Sequence, residues 1–189
     1  MSVSSPTAPA IETLDDLYRT PGKAELIGGR IVHFMATGYK PNLVAGEIFF
    51  SLKVHVRATG LGEAFTDNIG FAVSELSSGR QSFAPDVAYY TGPPPANAMR
   101  FIEGAPDFAV EVRSEGDYGR AAEIEMAAKR ADYFEAGTKV VWDVDPEAQV
   151  IRSYRFDTPT QPDLFLLGQD AHAEPAVPGW RVAVNAILG

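Results

Sequence analysis
The chain has 189 residues, close to a single domain on a prior of roughly 150 residues each. Its 46% hydrophobic and 22% charged content excludes disordered, collagen-like and fibrous classes, and the absence of cysteine excludes disulfides, thiolate zinc sites and cysteine nucleophiles. Sixteen Lys and Arg stand against 25 Asp and Glu, a net charge of −9, so bulk electrostatics does not hold this protein to nucleic acid, where duplex affinity comes mostly from neutralised phosphates.

Residues 1–10 are Ser/Pro/Ala-rich and uncharged. They lack the basic start and apolar run of a signal peptide and are expected to form a short disordered tail before a domain over 11–189. No apolar stretch approaches the roughly 18 residues of a membrane span, so a cytoplasmic location away from membranes is expected. Thr13 with Asp16 three residues on is a helix cap with its reciprocal acid, predicting a short helix over 14–18 that stops near Pro21-Gly22. Two apolar runs, 24–27 and 30–35, flank Gly28-Gly29 and predict a hairpin. Residues 42–58 carry Leu43, Phe50 and Val54 at helical spacing, closed by Gly60 and Gly62. Strands are expected at 64–66, 69–73 and 83–91, the last with Pro85-Asp86 near its start.

The run 108–112, Phe-Ala-Val-Glu-Val, predicts a strand covered on both faces. A helix follows over 120–136, ended by Gly137, and then a strand over 139–144 ended by Asp145-Pro146. Strand, helix, strand is a crossover unit and implies two parallel strands. Further strands are expected at 150–156, 164–167 and 180–184. Hairpins beside a crossover give a mixed sheet, so the fold class is α/β to α+β.

Three polar residues sit where apolar ones are expected. Glu111 lies inside the buried run, where an ionised carboxylate costs several kcal/mol unless paired or metal-bound. An edge position or a structural ion pair would also accommodate it. Lys129 lies on the helix face shared by Ala122, Met126, Tyr133 and Ala136, so it either snorkels to the edge or meets a carboxylate. Asp86 and Asp107 each follow a proline, as turn residues do. Asp107 and Glu111 are four residues apart on one strand, roughly 13 Å, and cannot share one metal ion. Asp86, on another strand, can lie beside Glu111. His33, His55 and His172 are scattered without ligand spacing, and neither a Gly-x-Ser-x-Gly elbow nor a phosphate loop is present.

Pro85-Asp86, then Glu111-Val112-Arg113, then a helical lysine resembles the PD-(D/E)XK nuclease superfamily. More narrowly, the chain resembles the restriction-endonuclease-like family found as many paralogues in some bacteria. The matching stretches are Glu25-Leu26-Ile27-Gly28-Gly29-Arg30, Ala84-Pro85-Asp86-Val87, 104–114, Lys129 with Tyr133 and Gly137, and 142–146. Arg113 stands where the superfamily name puts lysine, and the family's lysine lies on the following helix instead, at Lys129. Asn42 stands where many relatives have histidine.

The resemblance implies a restriction-endonuclease-like core and hydrolysis of DNA phosphodiesters, with DNA as partner and a homodimer as the assembly. It implies Mg²⁺, with Mn²⁺ as substitute, held by Asp86, Glu111 and the Val112 carbonyl, hard oxygen donors for a hard ion. Lys129 would orient a water or stabilise developing charge. Glu25 would add an outer carboxylate, unless it is a solvent-facing hairpin residue. The alternatives are a degenerate nuclease fold serving as a binding module, favoured by the acidity, and a hydrolase of a small phosphoester.

Overall fold
The computed structural model describes residues 11–189, and the expected tail at 1–10 lies outside them. Thr13 caps α1 (Leu14–Arg19) as expected: its hydroxyl accepts the Asp16 N–H at 3.3 Å, and its own N–H donates to the Asp16 carboxylate at 2.8 Å. The hairpin follows as β1 (Ala24–Ile27) and β2 (Arg30–His33), turning at Gly28 and Gly29, both at positive φ. Leu17 of α1 packs with Ala24 and Leu26 of β1 in a small core of its own.

Helix α2 (Tyr39–Thr59) starts three residues before the expected range and ends at Gly60, which is left-handed at φ 70°. Its core face is Val44, Ile48, Leu52 and Val56, while Leu43, Phe50 and Val54 lie exposed. The helix is apolar on two sides, and periodicity alone could not say which one packs. Strands β3 (Glu63–Thr66) and β4 (Phe71–Ala72) follow.

The strand expected over 83–91 is two: β5 (Ser82–Phe83) and β6 (Val87–Tyr90), in different sheets. Pro85 has no N–H for a ladder, and the chain changes sheets there. Next come β7 (Ile102–Glu103), not anticipated, β8 (Phe108–Val112), α3 (Arg120–Glu135), β9 (Val140–Asp145) and β10 (Val150–Arg155). β11 (Thr158–Leu166) is longer than its apolar signal at 164–167, because its first half is polar and carries Pro159 and Pro162. It is an edge strand, where prolines and polar residues are tolerated. β12 (Asp170–His172), β13 (Arg181–Ala183) and α4 (Val184–Leu188) complete the chain; Val184 opens the helix rather than closing the strand.

The main sheet runs β11-β10-β9-β8-β6-β3. Only β8 and β9 are parallel, in register Phe108↔Val140 to Val112↔Val144, as the crossover through α3 requires. Side chains alternate across it. Val87, Tyr89, Phe108, Val110, Val140 and Trp142 face α2 and α4, with Trp142 stacked on Trp180 at 5.2 Å between ring centres. Ala88, Ala109 and Val141 face α3. The directly paired alanines 88 and 109 leave room on that face for Phe83 and Tyr133, stacked at 4.1 Å. The α3 face is where the buried polar residues gather.

Candidate active site
Glu25 is placed by the docking of β1 on β5. The Leu26 N–H donates to the Ser82 hydroxyl at 2.8 Å, and the Gln81 N–H donates to the Leu26 carbonyl at 2.8 Å. At the hairpin tip, the Gly28 N–H donates to the Gly79 carbonyl at 2.8 Å, and a Cβ on Gly79 would meet the Gly28 Cα at 2.9 Å. The hairpin therefore seats against residues 79–82 and drives Glu25 inward, to 0% exposure. Glu25 is not a solvent-facing residue. Its carboxylate pairs with Arg80, accepts the Ala84 N–H at 3.0 Å and lies 3.2 Å from the Lys129 ammonium. Arg80 in turn binds Asp132 through Nε at 2.8 Å.

Asp86 immediately precedes β6, and Glu111 is the fourth residue of β8. The register Val87↔Val110 carried one step further sets Asp86 opposite Glu111. The Asp86 N–H donates to the Val110 carbonyl at 3.0 Å, and its Oδ2 accepts the Val112 N–H at 2.8 Å. Glu111 points to the α3 face because Val110 and Val112 point to the other. There Lys129 lies 2.9 Å from Glu111 Oε1, and the Tyr133 hydroxyl, one turn along, donates to the same oxygen at 2.6 Å. The Lys129 ammonium also sits 5.6 Å from the centre of the Phe34 ring.

Asp86 has a second partner: the Lys23 ammonium lies 2.7 Å from Oδ1 and 2.6 Å from Asp67. Thr66↔Val87 carried one step sets Asp67 opposite Asp86. Asp67, Asp86, Glu111 and, through Glu111↔Asp143, Asp143 thus form one row of acids across four neighbouring strands. Like charges directly opposite are destabilising. Every acid in the row is accordingly met by a cation: Lys23, Lys129, and at Asp143 both Arg113 and Arg130.

The local fields follow from burial and these pairs. Burial, with Asp86 and Glu25 close by, raises the Glu111 pKa above the usual carboxylate range in spite of Lys129. Burial also opposes the charge of Glu25, but Lys129, Arg80 and the Ala84 N–H outweigh it and hold that pKa below the usual value. For Lys129, Glu111 and Glu25 outweigh burial and raise its pKa well above the usual lysine value. Burial and Glu111 push the Tyr133 phenol up as well, which keeps it a donor.

Two ion-pair chains, Asp132–Arg80–Glu25–Lys129–Glu111 and Asp86–Lys23–Asp67, meet where Asp86 stands opposite Glu111 and together hold five carboxylates and three cations. That shortfall of positive charge, with only oxygen donors at Asp86 and Glu111, fits one hard divalent ion. Among the described residues no group of three or more His, Asp or Glu side chains is placed to hold a metal together. A site of two carboxylates and a backbone carbonyl would leave the remaining positions to water, as Mg²⁺ prefers.

The structure brings Asp86, Glu111, Lys129 and Glu25 together from four separate segments. Asp107 lies elsewhere, bound to Lys139 at 2.7 Å and to the Thr91 N–H at 2.7 Å, where it ties strand ends. Arg113 is 4% exposed and grips Asp143 through Nε at 2.7 Å and Nη2 at 2.8 Å while also pairing with Glu123, so its guanidinium is committed to those two acids and makes no ion pair with Glu111. Sequence reasoning missed Lys23, Arg80 and Asp132. The alternation Lys23-Ala24-Glu25 could have placed Lys23 on the side of Glu25.

A mixed sheet with a crossover helix, an acid pair at the sheet's centre and a lysine from that helix defines the restriction-endonuclease-like class. Within it, the family model described as Uma2, "Putative restriction endonuclease", matches residues 11–185, and the chain belongs to that family. A crystal structure described as "a putative nuclease belonging to DUF820 from Anabaena variabilis ATCC 29413" superposes with a TM-score of 0.72 at 19% identity, covering 93% of this chain and 97% of that one. At that identity the likeness shows the shared fold. No curated protein matches the chain.

Proposed function
We propose that the chain is a metal-dependent endonuclease that hydrolyses DNA phosphodiester bonds. The observation that carries this reading is the convergence of Asp86, Glu111 and Lys129, which come from separate elements, in one part-buried acidic group short of positive charge. Asp86, Glu111 and the Val112 carbonyl would hold Mg²⁺, with Mn²⁺ as substitute. Such an ion supplies polarisation of a phosphodiester oxygen and a water of lowered pKa. Lys129, held by Glu111 and Glu25, serves as a fixed cation toward the attacking water and the developing phosphoryl charge. Tyr133 orients Glu111, and Glu25 orients Lys129 from behind.

The test is cleavage of plasmid DNA by purified protein with Mg²⁺ or Mn²⁺. Wild type cuts; Asp86→Ala and Lys129→Ala lose at least about 100-fold, the usual scale for a lost electrostatic group. Equal cutting by wild type and both variants marks a contaminant and sinks the assignment.

A second reading is favoured by the scarcity of free cations. Eleven of the sixteen Lys and Arg are in ion pairs among the described residues, leaving Arg30, Lys40, Arg57, Arg120 and Arg181. A small phosphoester needs fewer of them than a duplex, and a phosphoester screen run beside DNA separates the two. For assembly we infer a homodimer. The support is the exposed apolar stripe Tyr39, Leu43, Phe50 and Val54 along one side of α2, and a monomer by light scattering removes it.

A further inference from the structure
The cation on Asp86 is Lys23, and it is there for a different reason from Lys129 on Glu111. Lys129 is anchored twice, by Glu111 at 2.9 Å and by the fully buried Glu25 at 3.2 Å, on a helix packed against the sheet. Lys23 lies just outside β1, at a bend, and reaches across to the row of acids. Both Asp86 oxygens are engaged: Oδ2 by the Val112 N–H, part of the backbone ladder region, and Oδ1 by the Lys23 ammonium. An ion held by Asp86 would lie beside the Lys23 ammonium 2.7 Å from Oδ1, and the two cations would repel each other there. The same ammonium already touches Asp67, whose carboxylate is more exposed than that of Asp86, 32% against 13%. A lysine released from Asp86 therefore keeps a partner without entering bulk water.

We propose that Lys23 is a resident counter-ion of Asp86 that yields its place to the divalent cation by shifting onto Asp67, so that the pair Lys23 and Asp67 sets the metal affinity of the site. This rests on the metal-site reading above. In the metal-free protein, Lys23 neutralises an acid row that would otherwise repel itself. On metal binding, the same lysine stays beside Asp67 and adds no charge to the site. Lys23 thus bridges two carboxylates and can give up Asp86 while keeping Asp67.

The test is calorimetric titration of the full chain with Mn²⁺ alone. Lys23→Met removes the competitor and tightens Mn²⁺ binding about tenfold, the scale of one part-buried ion pair. Lys23→Arg keeps a cation on Asp86 and gives no tightening, which separates charge from loss of packing. Asp67→Asn removes the second carboxylate and weakens binding about tenfold, and adding Lys23→Met to it restores the tight value. Asp86→Asn, which should abolish binding, reports on the site itself. If Asp86→Asn abolishes Mn²⁺ binding while Lys23→Met leaves it unchanged or weaker, the inference falls and the site stands. If neither wild type nor Lys23→Met binds Mn²⁺, the site reading falls and takes the inference with it.

Discussion

Arg80 offers the sharpest test of how the site is built. It is buried, with Nη1 on Glu25 and Nε 2.8 Å from Asp132, and it ties the hairpin to α3. Arg80→Leu leaves two buried carboxylates facing the cavity of one cation. Removing one partner from a buried ion pair costs about 3–5 kcal/mol, because the other charge stays desolvated. Glu25 keeps Lys129 at 3.2 Å and the Ala84 N–H at 3.0 Å, so the loss falls mainly on Asp132. That places the cost at about 3–4 kcal/mol, the lower part of the range. For a chain of this length each kcal/mol moves Tm by about 2–4 °C, so thermal unfolding should shift down by roughly 6–16 °C. Replacing all three, Glu25→Leu with Arg80→Leu and Asp132→Leu, should recover most of the loss, since apolar residues of similar volume often substitute for a buried ionic triad. The same triple variant should cut DNA poorly, because Lys129 loses its rear anchor. A Tm for Arg80→Leu within about 2 °C of wild type would show that the network contributes nothing to stability and refute this account.

Further outcomes are open to simple measurement. Glu111→Gln should raise the metal-free Tm while abolishing cleavage, since burial disfavours the charged form. The sign follows from linkage: a carboxyl raised above its unfolded pKa of about 4.3 costs stability as pH rises through the window between the two values. The wild type should therefore lose stability relative to Glu111→Gln across that window and run parallel to it above, and urea midpoints from pH 4 upward read this directly. Arg113→Ala strands the buried Asp143, beside only Arg130 at 3.3 Å, and should cost about 3–5 kcal/mol in urea denaturation. With five unpaired cations, the slope of log Kobs for duplex DNA against log salt should be no steeper than about −4.5, measured by fluorescence anisotropy with Ca²⁺.

Local signals exposed the residues whose side chains are set by their own element. Glu111 stood out because the nearly continuous apolar run 108–112 has no polar face to carry a charge, and Lys129 because the helical wheel put it among Met126 and Tyr133. Asp86 followed from strand spacing, which excluded Asp107. The partners that complete the site were not legible, because their contacts depend on how the β1–β2 hairpin docks. Arg80 is an ordinary loop arginine until Gly28 meets Gly79, and Asp132 is an ordinary helix acid until Arg80 reaches it. The helix α2 was legible, but its core face was not, for a related reason. Leu43, Phe50 and Val54 have helical spacing, and so do Val44, Ile48, Leu52 and Val56, and nothing local ranks the two stripes. Pro85 was read as lying near the start of one strand, and the change of sheets there depends on β4 and β7, which are two residues long and carry no period.

The net charge of −9 first stood against a nuclease, and its distribution explains why the objection weakens. The acids of the row are a structural cost met from within: Lys23, Lys129, Arg113 and Arg130 are all turned inward onto them. Lys23, Arg113 and Arg130, spent this way, are not part of a basic surface, which is thin because the site is acidic. On the proposed reading, the positive field that meets a phosphodiester comes from Lys129 and from the divalent ion that Asp86 and Glu111 collect, in a part-buried setting where each charge acts more strongly than at the surface. On the same reading the ion would have to bind before DNA is held. Its affinity for substrate should then follow the occupancy of the acid pair far more closely than the count of surface lysines.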